Sequence, residues 1–432
     1  MGGDLKKVEN SDLSRPSASG LLLVVLVCIM GVGPLFPFML ATSSTLVIER
    51  FSVTPGQLGI VSSVVFGSAA LASQASGWFA DKLSVRTQIV LNFSGAGLSF
   101  IIVAFTVDFI GIVIAAAIVG CSQAISNPTT NRIIVEVVDE HKRTSWIGFK
   151  QSGVQVAQLL SGVMFPIIAL FFGWFGAAFS GVLIAVTLIF VSISVVSKYY
   201  DGNNIRSASS GGLRESLAVP PISARSATGK NSDPIRSFAY TRLIFAISIF
   251  LIGFGVQAIH VFVPLYAVTV MEFSLVQGGL TITVVGVVGM VSRVWWARRV
   301  AAGARLSSLL AIINGGAAIG VLLLIMANAF GLNGLIWMAA VVHGMTGLGG
   351  NVVINAGLMR AAPAGQIGRV SGVNSMAMYA GFTVGPIVVG LLLDMTSSFD
   401  MGWSAALAVF LVGVGAALWL RWHQASDSAT LW

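Results

Sequence analysis

Twelve continuous apolar runs, each about long enough to cross a bilayer, take up nearly the whole chain, and the second six echo the first at an offset of 220 residues. Gln57 and Gly59 recur as Gln277 and Gly279, Val64-Val65 as Val284-Val285, Gly148 as Gly368, and Pro166 as Pro386. The runs cover residues 20–41, 56–80, 87–106, 109–135, 145–170, 174–197, 241–268, 276–297, 306–327, 333–358, 368–393 and 402–422, and are spans 1 to 12 in chain order. Each meets the ~20 residues that a helix needs to cross about 30 Å of hydrocarbon. A segment in lipid must satisfy its own backbone, and these runs do not alternate, so helices are expected and strands are not. The expected fold is an all-α membrane protein with twelve transmembrane helices in two pseudo-symmetric six-helix halves. Two similar halves have a natural rocking interface with a natural site on it. With 9% charged against 56% hydrophobic residues, there is no water-soluble core to look for.

The one long polar segment, residues 198–240, is rich in Ser, Gly and Arg, carries Pro220-Pro221, and divides the spans six and six. Such composition makes a flexible linker. The expected organisation is therefore an N-terminal half (1–197), a cytoplasmic linker (198–240) and a C-terminal half (241–432). With the N-terminus in the cytoplasm, 22 of the 24 Lys and Arg residues fall in or beside cytoplasmic segments; Arg50 lies in an outer loop and Lys150 inside span 5. That is the positive-inside bias. The net charge of +8 thus reads as a topology signal and not as a nucleic-acid surface, for which an aromatic-interleaved basic patch is missing from the sequence. The expected setting is multi-pass in the cell membrane, the inner one in a Gram-negative cell, with both termini cytoplasmic. Residues 1–20 are polar and the first run is too long for a signal-peptide core, so no cleaved leader is expected. Cys28 and Cys121 lie in separate spans and suggest neither a disulfide nor a metal site.

The turn after span 2 reads Gly77-Trp78-Phe79-Ala80-Asp81-Lys82-Leu83-Ser84-Val85-Arg86. Gly77 lets the end of span 2 pack tightly. Asp81 can accept hydrogen bonds from the start of a neighbouring helix, where the dipole is positive. Lys82 and Arg86 can bond free carbonyls, or acidic partners such as Glu136 or Asp139. A cluster of this kind works as a latch that holds one conformation and breaks in the other. In this turn the chain resembles the major facilitator superfamily, whose signature there is G-x-x-x-D-[RK]-x-G-x-[RK]. Gly77, Asp81, Lys82 and Arg86 match it, while Ser84 stands at the second glycine. The resemblance covers the whole chain: twelve spans, a long central loop, and the signature after span 2. It implies a transporter and not an enzyme, with spans 1, 4, 7 and 10 lining a central cavity. It further implies no cofactor, a small-molecule solute and the lipid bilayer as partners, and function as a monomer. After span 8 the same turn has decayed, with Ala297 and Ala301 at the glycine and aspartate positions, although Arg298, Arg299 and Arg305 keep it basic. A carboxylate latch is therefore expected on one half only. Span 11 carries Gly381, Gly385-Pro386 and Gly390, a close-packing stripe with a proline hinge. Many drug exporters of the family have a similar glycine–proline pair in span 5. Here Phe165 precedes Pro166, which weakens that reading.

Polar groups inside the spans mark the candidate site. Gln123, Asn127 and Asn131 share one face of span 4, and His343, Gly347, Asn351 and Asn355 share one face of span 10. The two Asn pairs hold the same places relative to Gly120 and Gly344. A cavity lining and interhelical hydrogen bonding both fit these positions. Lys150, followed by Gln151, lies about 10 Å to the cytoplasmic side of the middle of span 5. A cation at that depth needs water, a partner, or a path to the surface along its own stem. Its functional reading is a charge that holds an anionic solute. Arg293 sits at a comparable depth in span 8, where many members of the family carry a structural arginine. None of the sixteen acidic residues falls near the middle of a span; Asp81, Glu136 and Asp394 sit at span ends.

A positive, carboxylate-free interior favours an anion. Anion exchange or uniport would need no proton carrier in the protein; otherwise His343, His260, an end carboxylate or the substrate would have to carry the proton. The competing reading on the same fold is an exporter of a drug or amphipathic metabolite by proton antiport, for which 26 Phe and 14 Met suit a greasy cavity. A membrane enzyme or receptor finds no metal-spaced cluster and no nucleophile–base pair within the spans. No G-x-x-x-x-G-K-[ST] loop points to ATP.

Overall fold

Long apolar helices dictate nearly everything in the computed structural model, which describes residues 18–200, 234–361 and 367–426 without the side chains of 77–81, 144, 234–242, 359–361, 367–371 and 423–426. Among the described residues there is no strand. Span 1 is Gly20–Thr42, and the short helix Ser44–Phe51 follows it. Spans 2 and 3 are Pro55–Lys82 and Val85–Phe105. Span 4 is split into Phe109–Gln123 and Ser126–Val137. Span 5 begins as Glu140–Lys150 and continues in the helix Gly153–Tyr200, which also contains span 6. Spans 7, 8 and 9 are Pro234–Thr269, Leu275–Ala301 and Leu306–Phe330. Span 10 runs through Gly334–Thr346, a 3-10 turn at Gly347–Gly349, and Gly350–Ala361. Spans 11 and 12 are Ile367–Thr396 and Phe399–Ser426. Of the expected linker, residues 201–233 lie outside the described residues; its two ends are helical, closing span 6 and opening span 7.

Spans 5 and 6 form a hairpin around one residue. Gly173 has φ +65°, which glycine adopts without strain. At one end of this hairpin Gly153 lies against the Val27 carbonyl and the Tyr199 hydroxyl donates to Ser19 Oγ at 3.0 Å, so both ends meet the start of span 1. At the other end the Trp174 indole donates to the Val103 carbonyl at 2.9 Å. The end carrying Ser19 and Tyr199 is the proximal end, and that carrying Gly173 the distal end. Side chains take up the orphan N–H groups where helices begin. Asp108 accepts from Gly111 N at 2.7 Å, and Ser274 with Gln277 makes a reciprocal capping box.

The two halves meet along two seams, span 2 with span 11 and span 5 with span 8, and the residues that repeat at 220 meet each other there. Gly59 lies against the Pro386 carbonyl, and Gly279 lies against the Gly162 carbonyl and the Pro166 ring, with no room for a Cβ at either glycine. One turn further in, Ser63 Oγ donates to the Thr383 carbonyl at 2.5 Å, and Thr283 Oγ1 to the Leu159 carbonyl at 3.2 Å. Ser63 and Thr283 are themselves 220 apart. At mid-depth the seam is polar: Gln257 Nε2 donates to Ser62 Oγ at 3.2 Å, and Gln158 Nε2 lies 3.3 Å from His260 Nε2. The glycine stripe of span 11 also serves span 7, with Gly381 and Gly385 pressed on the carbonyls of Phe250 and Phe254.

Candidate functional site

Three spans break at similar depth, and each break has a local cause. In span 4, Pro128 has no N–H for the Ala124 carbonyl and its ring crowds that carbonyl, so the helix stops at Gln123 and restarts at Ser126. In span 5, the Ser152 hydroxyl donates to the Phe149 carbonyl at 2.7 Å between Gly148 and Gly153, which competes with the helix ladder at residues 151–152. In span 10, three glycines at 347, 349 and 350 permit the 3-10 turn and let the helix close on its neighbours. Gly349 faces the Trp296 ring and Gly350 faces Ile252. The second segments of spans 4 and 10 start at Ser126 and Gly350, 224 residues apart. Helices broken at mid-membrane leave backbone groups free to face a solute.

Lys150 sits just before the break in span 5 and is fully buried. Its ammonium neither snorkels nor meets a carboxylate among the described residues. It crosses to span 4 and donates to Asn131 Oδ1 at 2.6 Å, Thr130 Oγ1 at 2.7 Å and Asn127 Oδ1 at 3.2 Å. Three N–H donors thus meet three neutral oxygens. Gln151 Nε2 donates to the same Asn127 oxygen at 3.2 Å. Of the candidate residues, Lys150, Gln151 and Asn127 form one cluster. Thr130, which the sequence reading passed over, belongs to it and could have been found as the residue three after Asn127 on the same face.

In the other half Asn351 joins a parallel cluster. Asn355 Nδ2 donates to Asn351 Oδ1 at 2.5 Å, and Asn374 Nδ2 from span 11 donates to Asn355 Oδ1 at 2.9 Å. Asn374 was also missed, being a lone amide in a glycine-rich helix.

His343 lies apart from both clusters, at the central junction. It is 2% exposed, neither ring nitrogen has a hydrogen-bond partner among the described residues, and its ring stands edge-on to His260 at 5.8 Å between centroids. His260 in turn touches Phe38 of span 1 and Gln158 of span 5. Gln123 packs on Gly33 of span 1, and its Nε2 has no partner. Arg293 is half-buried with an unpartnered Nε, on a stretch of span 8 bound to span 10 by Ser292 Oγ to the Gly344 carbonyl (3.0 Å) and Trp296 Nε1 to the Met345 carbonyl (2.7 Å). Lys150, Gln151 and Asn127 thus share one cluster and Asn351 lies in another, while His343, Gln123 and Arg293 stand outside both.

At the turn after span 2, the side chains of Gly77 and Asp81 lie outside the described residues, while Lys82 and Arg86 are both engaged in contacts. Glu136 is held by Arg132 Nε (2.9 Å) and by the Tyr200 hydroxyl (2.7 Å), and Asp139 by Lys142 (3.4 Å). Arg143 donates to the carbonyls of Val135 and Val138 and so satisfies the end of span 4. Among the described residues the arrangement combines hydrogen bonds, a buried lysine and a jointed frame.

A family model described as the Major Facilitator Superfamily matches residues 18–386. A D-galactonate transporter of Escherichia coli O6:H1 is 29% identical over 114 residues, 26% of each chain. The lysosomal dipeptide transporter MFSD1 of Danio rerio is 28% identical over 178 residues, 40% of this chain and 38% of that protein. The chain therefore matches well under two thirds of the length of either relative. Among solved structures, a D-xylose–proton symporter superposes with a TM-score of 0.71 at 17% identity, over 93% of this chain and 97% of that one. The nucleoside transporter NupG gives 0.65 at 14% identity, over 94% and 99%. These structures share the fold.

Proposed function

The chain belongs to the Major Facilitator Superfamily, and from that premise we propose that this multi-pass membrane transporter moves a small organic anion by alternating access, with Lys150 holding the anion's charge. The observation that carries this reading is a lysine Nζ buried among amide and hydroxyl oxygens, with no carboxylate beside it among the described residues. Burying an uncompensated charge in a membrane is costly. A solute carboxylate would bring the opposite charge that none of the three neutral oxygens supplies. The partial match to a transporter named for galactonate, itself a carboxylate, supports the same class.

In this reading residues 1–197 and 241–432 are the two rocking bodies, joined through 198–240, and a single chain suffices. The proximal end faces the cytoplasm of a cell-membrane protein, as the bias of basic residues suggests. Seams packed from the distal ends to mid-depth then correspond to an inward-facing state. Reporter fusions after Gly202 and after Trp432 should both give a cytoplasmic signal, and an external one at either site reverses the orientation.

The test of the anion reading is uptake of labelled sugar acids and other small carboxylates into proteoliposomes. Lys150→Ala should weaken the best anion by about 10- to 150-fold, since one charge-assisted contact is worth about 1.5–3 kcal/mol. Lys150→Arg should keep part of the affinity. Equal affinity in wild type and Lys150→Ala would end the anion reading and move export of a neutral amphipathic solute into its place.

A further inference from the structure

The distal end of span 11 repeats, in the other half and at the opposite face, the glycine–aspartate spacing of the turn after span 2. There the chain reads Gly390-Leu391-Leu392-Leu393-Asp394, so glycine and carboxylate lie four residues apart on one helical face. The backbone contacts follow from that spacing. Gly390 lies against Pro55 and Gly56, with no room for a Cβ, and so brings the start of span 2 onto span 11. Asp394 Oδ1 then accepts from Gly56 N at 2.9 Å, and Oδ2 from Thr54 Oγ1 at 2.7 Å. Gly56 is the second residue of span 2, so the carboxylate of one half caps the positive end of a helix in the other. Thr54 with Gln57 and Ser274 with Gln277 make the same capping box, each within its own helix, so Asp394 is an additional acceptor supplied from the other half. By the 220 offset Trp174 stands where Asp394 does, and the other seam lacks that acceptor among the described residues.

We infer that Asp394 is a gating residue: a carboxylate clasp that holds the distal side closed and has to release before that side opens. The Asp81 turn is expected to hold the proximal side in the same manner, so the two carboxylates bias one equilibrium in opposite directions. Asp394 is exposed, which suits a bond made and broken in every cycle. This inference rests on alternating access but not on the nature of the solute, and the test below needs no solute.

After Cys28 and Cys121 are replaced by serine, spin labels at Val107 and Leu332 report separation of the distal loops, and labels at Glu140 and Ala302 that of the proximal ones. All four positions are exposed. In nanodiscs, Asp394→Asn and Asp394→Ala should raise the distal-open fraction relative to the closed one by about 5- to 20-fold, the scale of losing one helix cap with its charge. The proximal distance should shorten in step. Asp81→Asn should shift both pairs the other way, and the double variant should return towards wild type. A purely structural role would broaden both distances without this opposition. Unchanged distal distances in both Asp394 variants, or a shift in the same direction as Asp81→Asn, would overturn the inference.

Discussion

Spans 4 and 5 are tied together by a lysine, and spans 10 and 11 by an asparagine. In the first half Lys150 reaches Asn127, Thr130 and Asn131; in the second, Asn374 reaches Asn355, which holds Asn351. Along spans 4 and 10 the match is close: Asn127 and Asn131 correspond to Asn351 and Asn355 at 224, and Thr130 corresponds to the fully buried Ile354. Along spans 5 and 11 the 220 offset puts Asn374 one turn deeper than Lys150, and the longer lysine side chain makes up that turn. A neutral amide is therefore enough to join the two helices in one half. Lys150 ties its pair of helices through three acceptors where Asn374 uses one, and its burial carries a desolvation cost that those oxygens have to offset. In the proposed reading, an anionic solute would relieve that cost.

Making the first half resemble the second is the most damaging way to break this comparison. Lys150→Asn should leave yield and thermal stability near wild type while the best anion binds about 10- to 150-fold more weakly. If stability falls together with affinity, the ammonium belongs to the frame. The reverse exchange comes next in size. Asn374→Lys places a cation opposite two amides and Ile354, without a third oxygen, and should cost about 1–3 kcal/mol in a reversible unfolding assay with no gain in anion binding. The smallest effect sharpens the argument by its sign. Thr130→Val frees one N–H of the ammonium, so it should lower stability by about 0.5–1.5 kcal/mol yet raise anion affinity a few-fold. A parallel loss of both would mean that Thr130 positions Lys150 for the solute.

The spans were legible because a run of twenty apolar residues admits one solution in lipid; most bounds moved by four residues or fewer, while spans 5 and 7 begin five and seven residues earlier than expected. The repeat was legible too, but not that its echoing residues meet: Gly59 lies against Pro386 and Gly279 against Pro166, and the sequence carries no sign of that pairing. The breaks were harder to read. Pro128 is a sufficient cause of the break at residues 124–125, but the polar stretch 126–132 around it reads first as the lining of a face, and the glycines of span 10 read equally well as packing. The site was legible as a set of residue types and not as a geometry. Periodicity put Asn127 and Asn131 on one face, but nothing in span 5 said that Lys150 would cross to them instead of running toward the surface. Asp394, placed only as a residue at a span end, owes its contacts to a strand of chain 340 residues away.

The hairpin at Gly173 bears on how the protein is made. Spans 5 and 6 are joined distally by one glycine between Phe171-Phe172 and Trp174-Phe175, so no polar loop has to be carried across the bilayer between them. The pair has the character of a single insertion unit that enters from one side as a closed helical hairpin, its aromatic tip settling at the far interface. Lengthening that turn with charged residues would turn one insertion event into two and expose the apolar face of span 5 to the translocation machinery before span 6 arrives to share it.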